Sequence, residues 1–168
     1  MSNGKGEEMK TKLYLDTSVP SAFFDTSKPM RQLLTQKWFE FEAIEYELCT
    51  SVISIEEIDR LSNAEKRKNI QDLLIKNQTE ILELSQNAVD LAQVYIEKGA
   101  IPPSEEEDAF HIAIASVNHI DSLVSWNFKH IVSINPIRKI HEINKKLGYQ
   151  EIVIGSLEIF GGYKYGNL

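Results

Sequence analysis

Asp16, Glu57 and Asp108 are three acids far apart in the chain, and Asn127 is an amide further on. Asp16 ends an apolar run, Glu57 follows another by one helical turn, and Asn127 lies just beyond a third. Asp108 falls in the first turns of an expected helix. In an open parallel sheet, ligands bind beyond the carboxyl ends of the strands. Residues so placed can therefore meet at one edge. Gathered carboxylates repel one another, by roughly 4 kcal/mol per pair at about 4 Å and an effective dielectric near 20. A divalent cation relieves that repulsion; without one, at least one acid should have a raised pKa. Mg²⁺ and Mn²⁺ take oxygen donors, usually one or two carboxylates with waters and substrate phosphates. Such an ion activates water and neutralises charge on a phosphodiester transition state. The chemistry to expect is metal-dependent phosphodiester hydrolysis.

Each residue also has a plainer reading. Asp16, in Asp16-Thr17-Ser18, suits the cap of a following helix. Ser54-x-x-Glu57 has the form of a capping box, and neighbouring Glu56 competes for the functional role. The two glutamates lie about 100° apart on a helix, so only one faces the site. Ser104-x-x-Glu107 is a second capping box, and Glu105, Glu106 and Glu107 suit a helix N-terminus. Asp108 shares a face with Ile112 and Ala115, which turns it toward the sheet, where an acid needs a partner or a metal. His111 is expected to pack or hydrogen-bond, since no second histidine stands at metal-ligand spacing. Asn127 also suits a turn cap. Cys49 reads as a core residue rather than a nucleophile.

The elements that must position these residues alternate. Lys12 to Asp16 is a strand with consecutive apolar residues, as in a strand covered on both faces. Lys28 to Glu45 is a helix with a stripe of Leu34, Trp38 and Phe41. Glu47 to Ile53 is β-rich, and Ser54 opens a helix, followed by another over Asn63 to Lys76. Thr79 to Leu84 alternates polar and apolar as a strand. Asn87 to Lys98 is an amphipathic helix stopped by Gly99. Helices follow over Ser104 to Asn118 and Pro136 to Leu147, with strands at Ser122 to Ser125 and Glu151 to Ile154. Alternation without internal repeats implies a three-layer α/β/α sandwich around a parallel sheet of about five strands. Residues 155–168, with their glycines and aromatics, carry no assignable periodicity.

A chain of 168 residues suits one domain, here residues 12–168 with a C-terminal tail, preceded by a flexible leader over residues 1–11. The leader is polar and lacks the apolar stretch of a signal peptide. One cysteine excludes an intramolecular disulfide and a thiolate zinc site. No apolar run is long enough to span a bilayer, so no membrane association is expected and the cytoplasm is the expected compartment. A net charge of −7 argues against a broad basic face for duplex nucleic acid. It leaves room for a locally positive, metal-loaded site. No Gly-rich phosphate loop, dinucleotide fingerprint or nucleophile elbow occurs. The Asp-x-Asp motif of a haloacid-dehalogenase-like phosphohydrolase is absent at Asp16-Thr17-Ser18.

Four stretches in this order resemble the PIN-domain family, which includes toxin nucleases of toxin–antitoxin pairs. They are LYLDTS at 13–18, TSVISIEEI at 50–58, EDAFHIAIA at 107–115 and DSLVSWNFKHI at 121–131. The resemblance spans most of the chain and implies a Mg²⁺- or Mn²⁺-dependent ribonuclease acting on single-stranded RNA. It places the three family acids, and the metal, at Asp16, Glu57 and Asp108, choosing Glu57 over Glu56. Ser18 and Ser125 match small hydroxyl positions that orient ligands or water. Many members carry an aspartate where this chain has Asn127, which brings an amide oxygen but no charge. Asn127 is then expected to orient water or complete the shell, and a second metal should bind more weakly. Lys129 is a candidate phosphate contact. Trp126 and Phe128 are expected in the core, with base stacking as their role if exposed. The resemblance also implies an antitoxin partner, and a homodimer is consistent with the apolar helices. The competing expectation is a catalytically weak or inactive PIN-like module that works by binding protein.

Overall fold

The computed structural model describes residues 9–166; most of the leader, residues 1–8, and the last two residues of the tail lie outside them. Five strands form one sheet: β1 (Thr11–Leu15), β2 (Tyr46–Ser51), β3 (Glu80–Leu82), β4 (Ser122–Val124) and β5 (Val153–Gly155). Their order is β3-β2-β1-β4-β5 and every pairing is parallel. The helices are α1 (Ser18–Ala22), α2 (Pro29–Phe41), α3 (Val52–Asp59), α4 (Ala64–Lys76), α5 (Gln86–Glu97), α6 (Glu106–Val117) and α7 (Ile134–Leu147). Among the described residues no helix is long and apolar enough to cross a membrane.

Strand parity builds the three layers, because successive side chains leave a strand on opposite faces. Tyr14, Cys49 and Leu123 point to one face and pack with Leu91 and Tyr95 of α5, Ile112 of α6 and Ile140 of α7. Leu13, Leu15, Leu48 and Val124 point to the other, against Val19 of α1 and Leu34 and Trp38 of α2. Leu13, Tyr14 and Leu15 are wholly buried, as the unbroken apolar run of β1 implies. The order in which strands are added reverses at β1: β2 and β3 lie on one side, β4 and β5 on the other. The switch point where ligands collect is therefore the β1–β4 seam, closed by a bond from Asp16 N to Val124 O at 3.2 Å.

Several boundaries differ from the sequence expectation. The second strand stops at Ser51, and α3 begins at Val52, because the Ser51 side chain accepts the Ile53 N–H and caps the helix early. Ser54 is thus inside the helix, 2.7 Å from Thr50 Oγ1, and the Ser54/Glu57 capping box does not form. The Ser104/Glu107 box does not form either. Residues Pro103–Glu105 make a 3₁₀ turn, and α6 starts at Glu106 with no side-chain cap. Glu107 instead pairs with Arg60, and Glu105 stands 3.5 Å from His130. The tail is ordered through Gly166 as two 3₁₀ turns, Leu157–Phe160 and Gly162–Tyr165. Trp38 Nε1 and Tyr46 Oη both donate to the Phe160 carbonyl, at 2.8 and 3.2 Å. Gly161, at φ 93°, allows the chain to double back there.

Candidate metal centre

Asp16 leaves the end of β1 at the switch point and is almost wholly buried. Its two carboxylate oxygens are held separately. Oδ1 accepts from the Ser18 N–H at 3.1 Å and from the Ser18 hydroxyl. Oδ2 accepts from Ser125 Oγ at 2.5 Å. These serines are themselves fixed, since Ser18 Oγ accepts from Trp126 N and Ser125 Oγ from Asn127 N, each at 2.9 Å. The loops after β1 and β4 are thereby stitched together around one acid. Burial raises the Asp16 pKa, opposed by His111 and the two serine hydroxyls, while Glu57 raises it further.

Glu57 lies in the second turn of α3, and its neighbour Glu56 is exposed to solvent. Glu57 Oε1 is 2.7 Å from His111 Nε2. Burial works to raise the Glu57 pKa, but the bond and charge of His111, with help from Thr17 and Arg60, hold it below the usual value. His111 is itself buried on α6, and its other nitrogen, Nδ1, is 2.6 Å from the Tyr14 hydroxyl. Tyr14 Oη in turn stands 2.6 Å from Ser51 Oγ. A buried chain thus runs Ser51–Tyr14–His111–Glu57 and joins β2, β1, α6 and α3. Burial would depress the His111 pKa, yet the Glu57 bond and the charges of Asp16, Glu57 and Asp108 leave it raised. With both nitrogens engaged, His111 is a hydrogen-bonding residue, as its sequence context suggested.

Asp108 is half-buried in the first turn of α6, on the face that carries Ile112 and Ala115 inward. Burial and the charge of Asp16, with smaller contributions from Glu105 and Glu57, push its pKa up to about 7 against His111's opposition. Its Oδ2 accepts from Asn127 Nδ2 at 3.0 Å. Asn127 Oδ1 accepts from His130 N at 2.9 Å, which fixes the amide's orientation, because a backbone N–H can only donate. Asn127 therefore caps its own turn through oxygen and presents its NH₂ to Asp108.

Asp16, Glu57, Asp108 and Asn127 line one open cavity of about 330 Å³, with Ser18 and His111. Thr17, Ser21 and Leu61, which the sequence did not single out, complete its wall. Lys129 is exposed and does not line it, and Ser125 acts from beneath through Asp16. Trp126 is buried with Nε1 3.1 Å from Thr35 Oγ1, whereas Phe128, expected in the core, is 46% exposed. Cys49 is buried and its thiol is pushed up to about 12 by burial, so it is no nucleophile.

The donors facing the cavity are hard oxygens, and two of the three acids are driven toward protonation by burial and mutual charge. That is the condition a divalent cation relieves. Among the described residues no group of three or more Asp, Glu, His or Cys side chains stands close enough together to hold a metal ion by itself. The set fits an ion held directly by one or two of these carboxylates and through water by the rest, with substrate in its remaining positions.

The PIN-domain model matches residues 13–127, a span that begins in β1 and includes all three acids and Asn127. The chain belongs to the PIN-domain family. No curated protein matches it by sequence. Among solved structures it shares its fold with VapBC2 from Rickettsia felis, crystallised with a DNA fragment from their promoter. The TM-score is 0.55 at 13% identity, over 86% of this chain and 97% of that one. It is likewise similar to VapC20 of Mycobacterium tuberculosis, described as a Sarcin-Ricin loop cleaving toxin. There the TM-score is 0.55 at 11% identity, over 84% of this chain and 98% of that one. At such identities the likeness is one of fold.

Proposed function

We propose that this PIN domain is a Mg²⁺- or Mn²⁺-dependent endoribonuclease that cleaves single-stranded RNA, acting in the cytoplasm as the toxin of a toxin–antitoxin pair. The observation that carries the reading is the meeting of Asp16, Glu57 and Asp108, from three separate elements, in one open cavity. The toxin role and the antitoxin partner rest on family membership and on likeness to the two Vap structures.

Asp16, Glu57 and Asp108 would hold the metal, which when bound supplies water activation and charge neutralisation for phosphodiester hydrolysis. The protein's own contribution is preorganisation. Each acid has its own tether: Ser18 and Ser125 for Asp16, His111 for Glu57, Asn127 for Asp108. The carboxylates are thus oriented before substrate arrives, which lowers the reorganisation needed in the transition state. Asn127 adds a donor and no charge, so the site suits one tightly held ion better than two.

The same lack of charge at Asn127 favours the second reading, a catalytically weak module that binds protein. Isothermal titration of Mn²⁺ and Mg²⁺ into unaltered protein and Asp108→Asn separates the two. The nuclease reading expects binding to the unaltered protein and its loss in the variant. Binding that persists undiminished in the variant would remove Asp108 from the metal site and contradict the proposal.

A further inference from the structure

Phe128 follows the cavity-lining Asn127 directly, and the residue is 46% exposed. The turn that carries it is well tied. Phe128 N donates to Trp126 O at 3.1 Å, and Val132 N to Asn127 O at 2.8 Å. The Arg31 guanidinium lies 5.7 Å from the Phe128 ring centre and 5.0 Å from that of Trp126. Among the described residues Arg31 forms no ion pair, whereas Arg60, just past the helix that carries Glu57, is neutralised by Glu107. A lone exposed phenylalanine is ordinary on a protein surface. An exposed ring beside an acid cavity, backed by an arginine without a carboxylate partner, is a more specific arrangement. RNA approaching three acids on a chain of net charge −7 needs local positive charge beside the cavity. Arginine held flat on aromatic rings keeps its donors available to phosphate.

We infer that Phe128 and Arg31 form a nucleotide subsite beside the acid cavity, where an unpaired base stacks on Phe128 and Arg31 contacts a neighbouring phosphate. The inference rests on the ribonuclease reading and deepens it by stating where the strand flanking the scissile bond lies. It also supplies a physical reason for single-strand preference, since a base paired within a duplex has no free face to offer the ring.

The test is anisotropy titration of fluorescently labelled single-stranded RNA oligonucleotides. The Asp108→Asn background prevents cleavage, and the titrations are repeated at several salt concentrations. Phe128→Ala should weaken binding by roughly 5- to 150-fold, the range of one lost base–aromatic stack, and Phe128→Trp should restore it. Arg31→Met keeps an apolar stem over Trp126. It should flatten the slope of log K against log salt by about 0.7, one phosphate contact on a single strand, while Phe128→Ala leaves the slope unchanged. Hybridising the RNA to its complement should erase the difference between Phe128→Ala and its parent. Parent-like affinity in Phe128→Ala, with the unaltered protein still cleaving RNA, would overturn the subsite and leave the ribonuclease reading intact. An unchanged slope in Arg31→Met would remove Arg31 from it. Neither binding nor cleavage of RNA by any form would overturn both.

Discussion

Replacing Asp108 with asparagine should stabilise the metal-free protein at alkaline pH, although it removes a proposed metal ligand. The Asp108 carboxyl sits at about 7 rather than its ordinary 3.8, because burial and the charge of Asp16 disfavour its ionised form. The folded protein therefore binds this proton more tightly than the unfolded chain does. The resulting stability is complete below 3.8 and is lost as pH rises through about 7. Each tenfold change in proton affinity is worth about 1.4 kcal/mol, so the full displacement corresponds to about 4 kcal/mol. Solvent reaches part of this half-exposed carboxyl and screens it, which brings the figure to about 2 kcal/mol. Asparagine keeps an oxygen to accept the 3.0 Å bond from Asn127 and carries no charge. With chelator present, the variant should match the unaltered protein near about pH 4 and exceed it by about 2 kcal/mol near about pH 8. For a chain of this size that is a melting-temperature gain of roughly 4–8 °C. Thermal or urea denaturation at the two pH values provides the assay. Asp16 and His111 titrate in both proteins, so the difference between the two profiles carries the information. A variant no more stable than its parent at the higher pH would refute the reasoning.

His111 should matter to stability as well as to the site. His111→Ala strips the buried partner from Glu57 and one partner from Tyr14, and should cost about 3 kcal/mol or more in urea denaturation. A cost under about 1 kcal/mol would mean that the Ser51–Tyr14–His111–Glu57 chain is not a buried charged network. Asn127→Asp should replace a donor 3.0 Å from Asp108 with a fourth carboxylate. Mn²⁺ affinity should rise and metal-free stability at neutral pH should fall; calorimetry showing unchanged or weaker affinity would contradict the like-charge account.

The sheet and the position of Asp16 were legible because they rest on local patterns. The buried run of β1, the strand–helix alternation and the helix stop at Gly99 need no knowledge of distant contacts. Asp108 was legible because its face is set by Ile112 and Ala115 one and two turns on. The start of α3 is obscured in the sequence because Val52 and Ile53 are β-branched and extend the apparent strand, although Ser51 already offers a cap. The link from His111 to Glu57 could not be read locally, since its partners are 97 and 54 residues away. The available signal was weaker: a lone histidine among apolar helix residues, one turn from Asp108, implies a satisfied internal partner. Phe128 was expected inside on hydropathy alone, and only the path of the turn after β4 exposes it. The tail gave no pattern because its order comes from Trp38, Tyr46 and Glu42, more than a hundred residues earlier.

The central claim is that three tethered carboxylates in one cavity make this PIN domain a metal-dependent ribonuclease. The most direct measurement is cleavage of end-labelled single-stranded RNA by purified protein with Mn²⁺ or Mg²⁺, with chelator, and by Asp108→Asn. Cleavage that requires the metal and disappears in the folded variant is the predicted result. Cleavage that survives chelator or the loss of Asp108, or no cleavage by unaltered protein that binds the metal, would contradict it.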